Sequence, residues 1–375
     1  MDANRTLVLF ERLVKIESPS WHEAEMARAC EAELQDLGFM VAFDGSAEQT
    51  GSEVGNLIAH RPGNAEGAVA FSAHMDTVQP CAGICVMRVD DDRGEVLCSA
   101  GDTILSADDK AGITAIFEGI RSVLEAGEAL PDVWVILTTC EEQSLLGSGA
   151  LKASDVPQGV DCFVLDADGA PGSVVCSAPC HHTMDVAIRG KSAHAGVEPE
   201  AGVSAIQVAA HAIANMKLGR LDEATTANVG MIEGGVATNI VADACSFQAE
   251  CRSLFPEHAE EVKRQMTDAV MRACGCVGAE ADISWTLDYP EVACAKDDAI
   301  VRRAKRAIEA CGLPFKAVRT GGGADANCLR GLGVNAITLG TGMTNFHATT
   351  EYIKVRDLLD DARLVEALIC EYAGS

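Results

Sequence analysis

Apolar residues recur along this chain in two rhythms, and the two alternate. Runs such as "AVAFSAH" at 68–74, "DVWVILTTC" at 132–140 and "DCFVLDA" at 161–167 have the length of strands and are apolar almost throughout. Between the first two, "KAGITAIFEGIRSVLEAG" has apolar residues at 113, 116, 117, 120, 123 and 124, which fall on one face of a helix. Buried strands alternating with amphipathic helices predict an α/β sheet covered on both faces, mixed and mostly parallel. The chain opens with a helix, breaks at "SPS", and restarts where Ser20 and Glu23 have the spacing of a capping box.

Near residue 180 the rhythm changes. "TMDVAIRGKSAHAG" alternates, a helical stretch is expected over 201–216, and two strand-like runs follow, separated by "EGGVATN". The helix "PEHAEEVKRQMTDAVMRAC" and the strand "ADISWTLDY" complete a β-α-β-β-α-β order, the ferredoxin-like α+β pattern. After Pro290 the first rhythm resumes with a helix "AIVRRAKRAIEACG", a glycine cluster "TGGGADAN", a strand "VNAITLGTG" and a last helix. The expected organisation is one domain made of 1–179 and 292–375, with a smaller domain, 180–291, inserted into it.

Composition narrows the function. Over 375 residues the formal charge is −27, which disfavours nucleic acid and anionic membrane surfaces as partners. Sixteen cysteines occur without a C-x-x-C pair, several of them inside apolar runs. With no signal-peptide pattern at the start, they read as small buried hydrophobes in a reducing cytoplasm. No apolar stretch is long enough to cross a membrane.

Chemistry concentrates where the apolar strands end, the edge at which open α/β sheets bind ligands. One strand ends at His74 and Asp76, another at Glu141 and Glu142, and a third at Asp166 with Asp168 close by. Asp108 and Asp109 precede a helix, where such residues commonly act as caps, and His347 lies beyond the last strand. So many carboxylates at one edge repel one another unless cations lie between them. Two histidines with carboxylates suit zinc, manganese or cobalt with a position open for water. Asp76, two residues beyond His74, is expected on the same side of the strand, accepting the ring N–H of His74 and fixing its tautomer.

"SAHMDTV", "ADDKAG", "TTCEEQSLLGS", "KSAHAG", "GGVATN", "TGGGADAN" and "NFHATTEY", in this order, resemble the blocks of the M20 family of dinuclear zinc peptidases and deacylases, and most of all its peptidase T-like branch. The resemblance covers nearly the whole chain. It implies a zinc exopeptidase-like catalytic domain, a lid and dimerisation domain, and two divalent metal ions, zinc with manganese or cobalt as alternatives. It makes His74 a ligand of one metal and Asp108 the bridge, with Glu142 and His347 on the other metal. Asp166 would join His74, with Asp168 as competitor, while Asp109 only shapes the turn. Glu141 would be the general base and acid, and Asp76 the residue orienting His74. His194 would stabilise the oxyanion, and Asn239 and Arg252 would hold the substrate. The glycines 321 to 323 either let backbone N–H groups approach substrate or make a tight turn. His181 and His182 match no catalytic position and read as structural. The implied protein is a cytoplasmic, metal-dependent aminopeptidase acting on short peptides of the tripeptide kind, with a homodimer formed through the inserted domain. An N-acyl amino acid deacylase or dipeptidase of the same fold is the alternative, and a non-catalytic peptide-binding descendant a more distant one.

Overall fold

The structure, a computed structural model, describes residues 1–374. It divides into two units, Met1–Ser177 with Val292–Ser375, and Ala178–Glu291. The first unit begins with α1 (Ala3–Val14), α2 (Ala24–Asp36), β1 (Met40–Phe43), α3 (Ala47–Thr50) and β2 (Leu57–Arg61). Then come β3 (Ala68–His74), β4 (Val86–Asp91), β5 (Gly94–Ser99), α4 (Ala107–Ala126), β6 (Asp132–Thr138), α5 (Leu146–Ala150), β7 (Asp161–Ala167) and β8 (Ser173–Ala178). The second unit holds β9 (Cys180–Arg189), α6 (Ala205–Ala214), β10 (Gly219–Arg220), β11 (Thr225–Gly234), β12 (Ala244–Ser253), α7 (Pro256–Val277) and β13 (Glu280–Tyr289). The chain returns through β14 (Val292–Ala293), α8 (Ala299–Ala310), β15 (Lys316–Arg319), α9 (Asp325–Gly331), β16 (Asn335–Gly340), β17 (Tyr352–Lys354) and α10 (Val355–Tyr372).

The main sheet runs β1-β2-β6-β3-β7-β16-β8-β14, with β15 beside β8. β3 lies between β6 and β7 and is parallel to both, and β16 is parallel to β7. β1, β2 and β8 add antiparallel pairings, so the sheet is mixed around a parallel centre. The central strands are buried almost throughout, as continuous apolar runs require when both faces are covered. Their carboxyl ends therefore share one edge. α4 packs unusually close to that edge: a Cβ on Gly112 would lie 2.3 Å from the Leu165 carbonyl oxygen and 2.5 Å from Asp109 Oδ1. Only glycine admits that approach.

The second unit is a five-stranded sheet, β10-β11-β12-β9-β13, antiparallel wherever its strands pair. It is the ferredoxin-like order with a short edge strand added. Met184, Val186 and Ile188 face the helices with Phe247, Ala249, Val262, Met266 and Val270 to form its core. The alternate row, Thr183, Asp185 and Ala187, lies on the polar face.

Three local expectations are corrected. Ser20 and Glu23 do not form a capping box: α2 starts at Ala24 without a side-chain cap, and both side chains are drawn off by distant partners. Glu23 accepts from the Trp21 and Cys140 N–H groups, each at 3.0 Å, and from Ser52 Oγ. The helix expected over 201–216 is confined to Ala205–Ala214, because Ser204 caps it and Pro199–Ala201 forms a separate 3₁₀ turn. Finally, β6 stops at Thr138, so Glu141 and Glu142 sit on the turn beyond the strand. Cys140, with φ of 50°, belongs to that turn.

Candidate metal centre

His74 ends β3, fully buried, and its two ring nitrogens face different partners. Nε2 is 2.9 Å from Asp108 Oδ1 and 3.7 Å from Asp166 Oδ1. Nδ1 is 3.0 Å from the backbone carbonyl of Asp76 and 3.3 Å from its carboxylate. The nearer acceptor of the ring N–H is thus the Asp76 carbonyl, because β3 ends at His74 and the chain folds over at Met75. The Asp76 side chain is turned to other work. It accepts from the Glu141 N–H at 2.9 Å, the Glu142 N–H at 3.2 Å and Ser20 Oγ at 2.7 Å.

The second histidine, His347, lies past β16 with φ of 62°. Its Nε2 is 3.2 Å from Asp108 Oδ2 and 2.8 Å from Glu142 Oε2. Asp108 therefore offers one carboxylate oxygen to each histidine. Two trios bring ligand atoms within 4.8 Å of one another, His74–Asp108–Glu142 and His74–Glu141–Asp166. Of the two carboxylates in "LDADG", Asp166 is in the cluster, whereas Asp168 is exposed.

Asp109 does more than shape a turn. Fully buried, it accepts from the His74 backbone N–H and the Gly112 N–H, each at 3.2 Å, tying β3 to the start of α4. The peptide between Asp108 and Asp109 is cis.

Sequence reading missed four supports. Glu351, four residues beyond His347, is buried and accepts from the N–H groups of Leu105 and Ser106 at 2.7 Å and of Asp108 at 3.1 Å. It fixes the loop that delivers Asp108. Lys110 is fully buried with Nζ on the Ile16 carbonyl at 2.7 Å, and burial lowers it to about 8. Asp325 accepts from Thr138 Oγ1, leaving Oδ1 buried without a partner. Glu23 holds the Cys140 N–H just ahead of Glu141. A buried carboxylate within the quoted block "NFHATTEY" was the one available signal; the partners of the others depend on tertiary contacts.

The electrostatics follow from crowding. Burial, then Asp166, pushes Glu141 well above the usual carboxylate range, and burial does the same to Asp166 and Asp109. Burial also raises Glu142. Burial would raise Asp108 too, but His347 and His74 outweigh it and hold that carboxyl below its ordinary value. For His74 burial acts downward, yet Asp108 and Asp76 raise it well above an ordinary imidazole. His347 is raised to about 10, by Asp108 and then Glu142. Among the described residues no lysine or arginine pairs with these carboxylates, so the two histidines are the only basic side chains beside them. Two imidazole nitrogens and several buried carboxylate oxygens converging without a fixed cation are the donor set of a divalent metal site.

His194, Asn239 and Arg252 all lie on the inserted unit. The first two share a local bridge: His194 pairs with Ile240, and the Ala195 N–H donates to the Asn239 carbonyl at 3.0 Å. Arg252 is on β12, among Glu250 and Tyr289. The tight-turn role expected of the glycine cluster is not demanded by Gly321 or Gly322, whose Cβ positions would meet no protein atom closer than 3.9 Å and whose φ is not left-handed.

Residues 180–275 match the peptidase dimerisation domain of the M20 type, and residues 56–217 match peptidase family M28. Among curated proteins the chain is 38% identical to the uncharacterised YqjE of Bacillus subtilis, over 100% of each. The crystal structure of aminopeptidase PepT from Bacillus cereus superposes with a TM-score of 0.88 at 39% identity, covering 99% of each chain. A tripeptidase of Staphylococcus aureus gives 0.90 at 32%, covering 98% of each.

Proposed function

The chain belongs to the M20 peptidase family, and on that footing we propose that it is a dinuclear-metal-dependent aminopeptidase that removes the N-terminal residue from short peptides, tripeptides above all. The observation that carries the reading is the placement of Asp108 between two histidines, one oxygen toward each, with Glu141 beside them. The solved relatives at 39% and 32% identity, an aminopeptidase and a tripeptidase, favour peptide substrates over acylated amino acids.

His74 and Asp166 would hold one ion, Glu142 and His347 the other, and Asp108 both. Zinc suits this mixture of nitrogen and oxygen donors, with manganese or cobalt able to replace it. Two such ions, when bound, polarise the scissile carbonyl and make water a nucleophile near neutral pH. The chain supplies the rest. Glu141, its proton affinity raised by burial and by Asp166, takes a proton from the attacking water as the carbon–oxygen bond forms. It then delivers that proton to the amine nitrogen as the carbon–nitrogen bond breaks. Asp76 holds the backbone of Glu141 and Glu142 and orients His74 through its own carbonyl. His194 would stabilise the oxyanion, Asn239 hold the peptide backbone and Arg252 its C-terminal carboxylate. The match to a dimerisation domain, with Met231, Ile232 and Val236 exposed on the same unit, supports a homodimer through that unit.

The test is hydrolysis by zinc-, manganese- or cobalt-loaded protein of a tripeptide, its N-acetylated form, a dipeptide and an N-acetyl amino acid. Cleavage of the free tripeptide and sparing of its acetylated form are expected. Cleavage of acylated substrates alone would move the chain to the deacylases.

A further inference from the structure

His181 has no place in the chemistry above, yet it is among the most enclosed histidines of the chain and sits beside a proposed substrate-binding residue. On the polar face of the inserted unit Arg252 of β12 is directly opposite His181 of β9, which is opposite Tyr289 of β13. His181 Nε2 lies 2.8 Å from Glu250 Oε2, and its Nδ1 lies 3.4 Å from Asp288 Oδ2. Thr183 Oγ1 donates to that same Asp288 oxygen at 2.8 Å, and the Tyr289 ring packs on the imidazole with centroids 5.2 Å apart. His181 is 3% exposed, its Nε2 held by Glu250 and its ring packed by Tyr289, while its Nδ1 makes no hydrogen bond.

Glu250 Oε2 also accepts from Arg252 Nη2 at 3.0 Å and Nε at 3.4 Å, while Arg252 Nη1 donates to Tyr289 Oη at 3.4 Å. Of the five guanidinium N–H groups, these contacts use three and leave one on each terminal nitrogen. That pair forms the edge which accepts a carboxylate through two parallel bonds. An arginine beside an unrestrained glutamate would instead fold that edge onto it. Here one oxygen of Glu250 is pinned from the neighbouring strand, and His181, with Arg252, keeps the carboxyl ionised near 2.

We propose that His181 is a positioning residue for substrate selection: by fixing Glu250 it presents the guanidinium edge of Arg252 to the free C-terminal carboxylate of a short peptide. The proposal rests on the reading of Arg252 given above. In the metal-loaded Glu141→Ala protein, calorimetric affinity for trialanine and trialanine amide is compared across backgrounds, with kcat and KM measured in the parent protein. His181→Leu should weaken trialanine about tenfold and the amide less than twofold, with kcat nearly unchanged and the KM of trialanine raised in step. His181→Gln, which keeps a donor to Glu250, should restore most of the loss. Equal losses on both ligands would mean a merely structural role and would overturn the proposal, as would an unchanged trialanine affinity in His181→Leu. Arg252→Met separates the two readings. If it discriminates against trialanine and His181→Leu does not, the positioning role alone fails. If Arg252→Met leaves both affinities unchanged, the carboxylate reading fails and takes the positioning role with it.

Discussion

Glu141 stands apart from the carboxylates around it. Asp76, Asp109 and Glu351 accept backbone N–H groups, and Glu142 pairs with His347, whereas among the described residues the Glu141 oxygens carry no hydrogen bond. A carboxylate held by several donors is committed to its structure; one held by none is free to take and return a proton. Glu141→Ala should therefore retain both metals, read by elemental analysis, while kcat falls roughly 10²- to 10⁴-fold. The same reasoning separates the two aspartates of "LDADG". Asp166→Asn should lose about one metal equivalent, and Asp168→Asn should keep both. Residue spacing alone could not choose between them, since both stand near the end of β7. The outcome depends on β3 lying alongside β7, which brings Asp166 to 3.7 Å from His74.

At the scale of elements, much was legible and the failures have physical causes. The apolar runs that became β3, β6, β7 and β16 announced themselves, because strands buried on both faces need continuous apolar residues. The β-α-β-β-α-β order of the inserted unit was equally plain. β4 and β5 were not read, since "VMRVDDDRGEVLCS" is charged and largely exposed, and their third strand, β17, arrives more than 200 residues later. Ser20 and Glu23 had the spacing of a cap but were claimed by Asp76 and Cys140, a case of tertiary partners overriding a local motif. Glu351 shows the same long reach. It gathers the N–H groups of Leu105 and Ser106, in the loop before α4, and of Asp108 in its first turn. Glu351→Gln should lower the melting temperature and weaken metal binding together. A variant that lost stability while keeping full metal affinity would show that Asp108 is placed without it.

For the whole molecule, the distribution of protons is the readable quantity. Asp108 and Glu142 raise His347 to about 10, so without metal its imidazole holds a proton at pH 7, and His74 is shifted in the same direction. A metal ligand must be unprotonated. Loading at pH 7 should therefore release at least the His347 proton, measured as buffer-dependent heat in titration calorimetry. The sign is fixed by His347: metal affinity rises with pH up to its deprotonation near 10. Release of no protons would place the histidines outside the coordination sphere. The proposed dimerisation through the inserted unit makes a separate prediction. Sedimentation should give a dimer, and a charge at Val236, 83% exposed, should reduce it to a monomer without altering the metal content.

The hold of Glu351 on the loop before Asp108 joins positions 243 residues apart in the chain. At synthesis rates of roughly 5–20 residues per second, the ribosome makes Asp108 on the order of tens of seconds before it makes Glu351. His347, which completes the second histidine contact, is made only just ahead of it. A nascent chain thus carries its acidic edge long before it carries the means to organise it. A ribosome-bound chain arrested before His347 should therefore lack both the second histidine and the Glu351 clamp of the site, and should bind less metal than the released protein.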